Sequence, residues 1–286
     1  MRRPPEVAAE GRGGGAASAT IGVLDPFASD VHSAAVRAFR RRHPDLRFAP
    51  VVVVIPAYNE ADAIEGVLEG IPQAACSLPV DTLVVDDGSS DRTADVSLRH
   101  GVYVARLDEN SGQGAALRVG YDLARECGAR YIVTLDADGQ WDPNEIAKVL
   151  EPVVEDEADF VLGSRVLGRA ETDDTFRHAG VRFFALLLRL LTGVRVTDTS
   201  SGVRALRTEV TKTVRQDEGQ YQASELLIGA ICQGYRVAER PVVMRKRAAG
   251  ASKKGPNFAY GIRYGRVMLR TWWRERGTRV RPPSES

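Results

Sequence analysis

The sequence predicts an α/β fold in which a mostly parallel central sheet is flanked by helices. The first observation is that five short segments are β-branched and apolar on both faces, at residues 51–55, 82–85, 102–105, 131–135 and 160–163. The second is that helix-length segments lie between them. Apolar strands that alternate with helices are typical of a parallel sheet covered on both sides.

The intervening helices supply the third observation. They are expected at residues 61–71, 91–100, 114–127 and 143–155. Gly101 and Gly128 stand just after two of them, where glycine commonly ends a helix. Right-handed crossovers then place the carboxyl ends of the strands, and the loops after them, along one edge of the sheet. Open α/β sheets bind their ligands at that edge.

Composition divides the 286 residues into five segments, and a hydrophobic content of 43% is enough for a proper core. After about residue 165 the alternation of strands and helices stops, which indicates a second half rather than another repeat. The segments are a disordered extension (1–28), a short helix (29–49), a first half (50–165), a second half (166–255) and a basic amphipathic helix and tail (256–286).

Charge is distributed unevenly along the chain. The formal net charge is +1, but thirteen Lys and Arg residues stand against a single acid, Glu275, between Arg240 and Arg281. Such asymmetry indicates an anionic partner. Nucleic acid is not expected, because no recognition motif accompanies the charge.

The remaining bulk features indicate a cytoplasmic protein that is soluble or attached to the membrane surface. The three cysteines show no pairing or metal spacing, which is typical of a reducing compartment. No secretory signal follows the first residues. The longest apolar run, Val181–Leu191, is interrupted by two arginines and is much shorter than the ~20 residues that span a bilayer.

Polar loops follow the predicted strands, and several of them are acidic. They read PAYNE at 56–60, DDGSSD at 86–91, DADGQ at 136–140 and SRVLG at 164–168. Convergent carboxylates repel one another unless a cation or hydrogen-bond donors lie between them. A hard divalent cation binds carboxylate oxygens and accepts phosphates as its other ligands. Trp141 and Pro143 are interpreted only as a turn into the next helix.

Six motifs, in order, resemble family 2 glycosyltransferases of the GT-A fold. They are VVVVIPAYNE, LVVDDGSSDRT, NSGQGAALRVGYDLA, TLDADGQWDP, GSR and TDTSSGVRAL. The chain is most similar to the dolichol-phosphate and polyprenyl-phosphate mannosyltransferase branch, from about Pro50 to Trp273. The resemblance implies a Rossmann-like GT-A sheet. It makes residues 50–165 a nucleotide-sugar-binding half and residues 166–255 an acceptor-side half.

The resemblance also implies a donor site in the first loops. Pro56, Tyr58 and Glu60 would surround the base and ribose. Asp87 would hydrogen-bond the base, and Gly88 would allow close approach of the chain. A purely structural loop with a helix-capping Asn59 is the alternative for PAYNE, and Ser89 or Ser90 is expected to cap the next helix.

The metal and diphosphate group implied by the resemblance follows the fourth strand. Asp138 would be a cation ligand, Asp136 its partner toward the sugar or the metal, and Gln140 an aid to metal or phosphate. Arg165 would neutralise phosphate, or else be a solvated surface residue. Glu225 matches an acidic position of the branch near the sugar. The expected catalytic group therefore consists of Asp136, Asp138, Arg165 and Glu225. An exposed helix residue is the alternative for Glu225.

The acceptor side is expected to be cationic. Ser200, Ser201 and Arg204 would contact an acceptor or a leaving phosphate, and the segment RKRAAGASKKG resembles a phosphate loop of the branch. Its expected phosphate-binding residues are Arg247, Ser252 and Lys253.

The C-terminal helix is expected to be amphipathic. Helical spacing puts Arg263, Arg266, Arg270 and Arg274 on one stripe, with Met268, Leu269 and Trp272 roughly opposite. Such a helix suits an anionic membrane surface, and the alternative is an ordinary helix packed on the core. The 181–191 segment is likewise either a core helix or a lipid-facing shelf.

Taken with the resemblance, the sequence predicts a metal-dependent, inverting glycosyltransferase that uses Mg²⁺ or Mn²⁺. Its donor would be a GDP- or UDP-hexose, mannose or glucose-like, and its acceptor a polyprenyl phosphate at the cytoplasmic membrane face. A phosphate acceptor is already anionic and needs no strong general base, whereas an alcohol does. The alternatives are a soluble alcohol acceptor and a catalytically silent nucleotide-binding subunit. A nucleotidyltransferase is not expected, because its early glycine-rich Lys/Arg signature is missing.

Overall fold

A computed structural model describes residues 30–171, 175–219, 221–246 and 257–278. Within these ranges the chain forms eight strands and nine α-helices, with a short 3-10 helix (Pro143–Glu145) before the fifth. The strands are β1 (Val51–Ala57), β2 (Ala74–Ala75), β3 (Leu78–Asp86), β4 (Tyr103–Arg106), β5 (Tyr131–Thr134), β6 (Phe160–Ala170), β7 (Arg204–Arg207) and β8 (Val237–Met244). The helices are α1 (Asp30–Arg42), α2 (Ile64–Gly70), α3 (Thr93–Arg99), α4 (Gln113–Glu126), α5 (Ile146–Val154), α6 (Thr175–Thr192), α7 (Thr208–Thr213), α8 (Gln222–Gln233) and α9 (Asn257–Glu275).

The strands form one mixed sheet in the order β2-β3-β1-β5-β7-β6-β8, and β4 pairs with β3. β1, β3, β4 and β5 are mutually parallel, and β6 pairs in parallel with β8. β7 lies antiparallel between β5 and β6. Because β7 runs in the reverse direction, its first residue lies at the edge where the parallel strands end. The predicted α/β sheet is confirmed.

Two hydrophobic clusters cover the two faces of the sheet. Val52 and Val54 of β1 belong to one cluster, with residues of α1, α4, α8 and α9. Val51 and Val53 belong to the other, with residues of α2 and α5. A strand buried on both faces needs apolar side chains at every position, which explains the unbroken run of valines.

The glycines expected after two helices adopt the left-handed conformation, with φ of +72° at Gly101 and +84° at Gly128. Another glycine, Gly120, sets the approach of α4 to the sheet. A Cβ at that position would lie 2.3 Å from Cγ1 of Val54, so only glycine allows this contact.

Several predictions fall outside the described residues. They are the disordered extension at 1–28 and the phosphate-binding residues Arg247, Ser252 and Lys253. Among the residues that are described, no helix is long and apolar enough to cross a membrane.

Candidate active site

Asp87 fixes the glycine-rich loop that precedes α4. Its side chain is 3% exposed, and its two oxygens accept the backbone N–H groups of Ser111 and Gly112, each at 2.8 Å. Burial raises the pKa of this carboxyl, and the two backbone hydrogen bonds oppose that rise. Gly88 has a φ of +69°, and a Cβ there would lie 2.5 Å from the carbonyl carbon of Glu109. The close approach at Gly88 is therefore an approach of the protein chain itself.

The loops after β1 and β3 are tied to each other. Ser89 Oγ accepts the Asn59 N–H at 2.9 Å, and Asn59 Oδ1 accepts the Ser90 N–H at 2.9 Å. The expectation that Ser89 or Ser90 caps α3 is wrong, because Asp91 Oδ1 accepts the Thr93 N–H at the start of that helix. Asn59 serves the neighbouring loop rather than capping its own helix. Tyr58, Asn59 and Glu60 are half-buried beside this junction.

Asp136 is held from two sides. Gln113 Nε2, at the start of α4, lies 2.9 Å from Oδ1, and Trp141 Nε1 lies 3.1 Å from Oδ2. Gly202 packs directly against the carboxylate, since a Cβ there would be 1.9 Å from Oδ2. Interpreting Trp141 as turn alone was wrong: its side chain is 3% exposed and bonded to an expected site residue.

Asp138 and Gln140 complete the turn after β5. Asp138 is 8% exposed, and its Oδ1 accepts the Gln140 N–H at 3.1 Å. The Gln140 carbonyl accepts the Arg245 N–H at 2.7 Å. This contact places the turn beside the strand β8 that leads to the predicted phosphate loop.

The residues of this turn fit a divalent cation that shares its coordination with a substrate. Within the described ranges, no three His, Cys, Asp or Glu side chains come together as a complete metal site. Asp136 and Asp138 offer hard carboxylate oxygens at the sheet edge, and Gln140 offers an amide oxygen. Mg²⁺ and Mn²⁺ sites of this kind commonly use one or two carboxylates, with phosphate oxygens as further ligands. The donor set therefore fits a metal–diphosphate complex.

Arg165 is ion-paired rather than solvated. Its Nε lies 2.8 Å from Asp198 Oδ2, and its Nη2 lies 3.0 Å from Oδ1 and 2.6 Å from Ser200 Oγ. Its guanidinium carbon is 5.9 Å from the centre of the Trp141 ring. The alternative of a solvated surface arginine is wrong, because the side chain is only 9% exposed. Arg165 joins the turn after β5 to the loop before β7.

The loop that holds Arg165 is itself anchored by β8. Glu239 accepts the Thr197 N–H at 2.8 Å, the Thr197 hydroxyl at 2.9 Å and the Asp198 N–H at 3.0 Å. This single carboxylate therefore accepts the backbone N–H groups of Asp198, the acidic member of the ion pair, and of the residue before it.

Arg204 is a buried cation whose observed partners are neutral. It is 3% exposed; Nε donates to the Ser201 carbonyl at 2.7 Å and Nη1 to the Ala223 carbonyl at 3.3 Å. Within the described part of the chain, no Asp or Glu pairs with it. Its side chain lines the same cleft as Asp136, Ser200 and Ser201. A buried guanidinium without a carboxylate is suited to an anionic ligand.

The cleft encloses about 600 Å³, including space open to solvent. It gathers residues from both halves of the chain: Pro56, Gln113, Gly114, Leu117, Thr134, Asp136, Ser200, Ser201, Gly202, Arg204, Tyr221, Gln222, Ala223 and Tyr264. Asp136 is the one carboxylate among these lining residues. Tyr264 of α9 donates its hydroxyl to Thr199 Oγ1 at 2.9 Å, so the C-terminal helix forms part of the wall.

Glu225 lies outside this lining and acts as a structural tie. One oxygen accepts the Glu218 N–H at 2.8 Å, and the other lies 3.0 Å from Nη1 of Arg274. Burial raises the pKa of Glu225, while its hydrogen bonds and Arg274 lower it. The alternative of an exposed helix residue is wrong, since Glu225 is fully buried. Its expected catalytic role stays a prediction.

Sequence reasoning missed Gln113, Trp141, Tyr264 and Glu239. Gln113 and Trp141 lie inside the motifs NSGQGAALRVGYDLA and TLDADGQWDP, so motif membership was an available signal. Tyr264 and Glu239 are brought to the site by tertiary packing alone. No local pattern distinguishes them from ordinary helix and strand residues.

The sheet and its flanking helices have the GT-A fold. Glucosyl-3-phosphoglycerate synthase from Mycobacterium tuberculosis, solved with Mn²⁺, UDP and glucosyl-3-phosphoglycerate, superposes with a TM-score of 0.60. The alignment covers 86% of this chain and 84% of that one at 21% identity. At this identity the similarity confirms the fold.

The family is given by sequence. A sequence model described as Glycosyl transferase family 2 matches residues 52–215. The chain therefore belongs to glycosyltransferase family 2, which confirms the predicted enzyme class.

A dolichyl-phosphate hexose transferase from Haloferax volcanii is 34% identical over 229 residues, which cover 80% of this chain and 96% of that protein. A polyprenol monophosphomannose synthase from Mycolicibacterium smegmatis is 33% identical over 71% of this chain and 80% of its own length. The predicted similarity to the polyprenyl-phosphate branch is also confirmed.

Proposed function

We propose that this enzyme transfers a mannose- or glucose-like hexose from a nucleoside-diphosphate sugar to a polyprenyl phosphate, with inversion at the anomeric carbon. The observation that carries the proposal is the buried guanidinium of Arg204 in the cleft that Asp136 also lines. Among the residues that the structure describes, its hydrogen-bond partners are all neutral, and a buried cation of this kind is suited to an anion from the substrate. An acceptor phosphate beside Ser200 and Ser201 supplies it.

The chemistry of the cleft also favours a phosphate over an alcohol. An alcohol acceptor needs a general base, and Asp136 is the one acid among the described lining residues. Because Asp136 is assigned to the cation, no carboxylate among the described lining residues remains to act as that base. A phosphate monoester attacks as an anion and needs no such base.

The donor would bind along the carboxyl ends of β1, β3 and β5. Asp136, Asp138 and Gln140 would hold a divalent cation, which neutralises charge on the departing diphosphate when it is bound. Pro56, Tyr58, Glu60, Asp87 and Gly88 would form the nucleotide side. Arg165 is oriented by Asp198 and Ser200 to stabilise developing negative charge without reorganising.

A membrane surface is the proposed source of the acceptor. α6 and α9 pack together through Phe184 and Tyr264, whose ring centres are 4.5 Å apart. Both helices expose large apolar side chains: Phe183, Leu186, Leu190, Ile262, Leu269 and Trp273. Exposed arginines stand between them: Arg182, Arg189, Arg263, Arg266 and Arg270. Apolar anchors mixed with cations are typical of binding to an anionic lipid surface.

This face differs from the expected arginine stripe. Arg274 points inward to Glu225, and Met268 is fully buried, whereas Leu269 lies among the exposed arginines. The relatives whose names include dolichyl-phosphate and polyprenol substrates support a lipid acceptor for this chain.

Calorimetry with UDP and GDP, each with Mg²⁺ or Mn²⁺, tests the donor site. We expect metal-dependent binding that Asp138→Ala abolishes and that Asp108→Ala, an exposed acid on a neighbouring loop, leaves intact. Equal binding by the Asp138 variant would refute the metal assignment. Nucleotide binding with no donor hydrolysis or transfer under any condition would favour a silent nucleotide-binding subunit.

Vesicle partitioning tests the acceptor. With phosphatidylcholine vesicles that contain phosphatidylglycerol, we expect binding and transfer to embedded polyprenyl phosphate. Leu186→Ser with Leu190→Ser should weaken both, whereas Leu98→Ser, an exposed leucine on α3, should not. Transfer to a soluble alcohol without any vesicle binding would establish the alternative acceptor class.

A further inference from the structure

The Asp136 carboxylate receives one donor on each oxygen, from two different elements. Gln113 Nε2 reaches Oδ1 from the first residue of α4, and Trp141 Nε1 reaches Oδ2 from the turn after β5. A single hydrogen bond leaves a carboxylate free to rotate about its side-chain torsions. Two donors at opposite oxygens fix both its rotamer and the plane of the group.

Trp141 also supports the second charged group of the site. Its side chain is 3% exposed, and its backbone forms a bridge to Met244 at the end of β8. The Arg165 guanidinium lies near its ring, and the Met244 sulfur lies 3.2 Å from Arg165 Nη1. The Trp141 indole therefore contacts the Asp136 carboxylate and also lies beside Arg165, the cation that pairs with the loop before β7.

The loop before β7 packs closely against the indole N–H. A Cβ on Gly202 would lie 1.9 Å from Asp136 Oδ2 and 2.7 Å from Trp141 Nε1. The loop before β7 is therefore pressed against the hydrogen bond between these two side chains. A residue that only forms a turn has no need of a buried N–H donor. The close packing around the hydrogen bond between Trp141 and Asp136 therefore exceeds what turn formation requires.

We propose that Trp141 and Gln113 are positioning residues that set the orientation of Asp136 toward the cation and diphosphate. The inference rests on the proposed function, in which Asp136 belongs to the donor site. Neither side chain is required to touch the substrate. Partners of this kind, one shell behind the ligands, typically alter metal affinity or activity by about 10- to 100-fold when they are removed.

Two substitutions of Trp141 separate positioning from packing. Trp141→Phe keeps an aromatic ring and removes the N–H donor. Trp141→His loses the six-membered ring of the indole but keeps a five-membered ring. The Nε2–H of that imidazole occupies the place of the indole N–H. Gln113→Leu removes the other donor at an exposed helix start, where folding is not at risk.

The experiment is calorimetric titration of UDP and GDP in the presence of Mn²⁺, with thermal unfolding of each variant as a measure of folding. We expect Trp141→Phe and Gln113→Leu each to weaken metal-dependent nucleotide binding by about 10-fold or more. Trp141→His should bind more tightly than Trp141→Phe even if its unfolding temperature is lower. A purely structural role predicts the opposite order, because phenylalanine preserves the apolar packing better.

The outcomes distinguish this inference from the proposed function. If the wild-type protein binds and Trp141→Phe and Gln113→Leu bind equally well, the positioning role is overturned and the donor site stands. If Trp141→His is no better than Trp141→Phe, the N–H donor is irrelevant and the inference fails. If the wild-type protein shows no metal-dependent binding, the proposed function fails and the inference fails with it.

Discussion

The guanidinium of Arg165 meets the carboxylate of Asp198 at two points, with Nε 2.8 Å from one oxygen and Nη2 3.0 Å from the other. Asp198 is fully buried, and the arginine is nearly so. The Nη2 hydrogen bond and the close Nε contact together orient the guanidinium, and a lysine in its place does not reproduce this pair of contacts. The cation is therefore oriented before any substrate arrives.

Asp198→Asn should destabilise the fold by about 3 kcal/mol, because it leaves a buried cation without its counter-charge. Urea unfolding measures the loss. The double variant Arg165→Gln with Asp198→Asn should recover part of this stability but remain inactive. Full activity in the double variant would contradict a role for Arg165 in transfer.

Arg204→Gln should raise the KM for the phosphate acceptor and lower kcat/KM by about 10- to 100-fold, since a charge-assisted contact is lost. Nucleotide affinity, measured by calorimetry, should change little. A loss confined to nucleotide binding would instead place Arg204 on the donor side.

Gly202→Ala should weaken metal-dependent nucleotide binding by about 10- to 100-fold, because the new methyl group displaces the Asp136 carboxylate. Gly66→Ala is the matched control: nothing lies within 4 Å of its added Cβ on α2. It should raise stability by up to about 1 kcal/mol without affecting binding. Normal binding by the Gly202 variant would show that Asp136 has room to move.

Arg274→Met should destabilise the protein by about 3 kcal/mol at pH 7, because Glu225 is left charged and buried. Burial already raises the pKa of Glu225, and loss of the arginine raises it further. Between the ordinary glutamate pKa of about 4.3 and the raised pKa, Glu225 is protonated in the folded variant and ionised in the unfolded chain. The stability of the variant therefore falls as the pH rises through this window. The loss measured by urea unfolding should be smaller at pH 4.5.

Arg270→Met provides the control for Arg274. Arg270 is 68% exposed and lies 3.7 Å from Glu218, so its removal should change stability by less than about 1 kcal/mol at either pH. Equal effects of the two substitutions would show that the tie between Glu225 and α9 adds nothing.

Much of the fold was predictable from short-range patterns. The valine run of β1 predicted a strand buried on both faces, and Gly101 and Gly128 marked the ends of two helices. β7 was missed because Arg204–Arg207 carries two arginines in four residues and has no strand period. Its pairing with β5 and β6 is decided by tertiary contacts that no local window contains.

The site was predictable to the extent that motifs mark it. Of the residues that the motifs marked, Pro56, Asp136, Ser200, Ser201 and Arg204 line the cleft, and Arg165 contacts Ser200 beside it. The motifs did not predict which side chains hold one another in place. These pairs are Asp198 with Arg165, Glu239 with Asp198, and Arg274 with Glu225. These are long-range pairs between elements far apart in sequence, so only the folded chain brings them together.

The pairing of β5 with the reversed strand β7 has a consequence for substrate choice. Thr134, the last residue of β5, lies opposite Arg204, the first residue of β7, and its hydroxyl donates to the Gly202 carbonyl at 3.0 Å. The distance from the Asp-x-Asp turn to Arg204 is therefore set by the pairing register of β5 and β7. Under the proposed function, side-chain replacements in either loop can change which sugar or acceptor is recognised, while the span between the two binding positions stays constant.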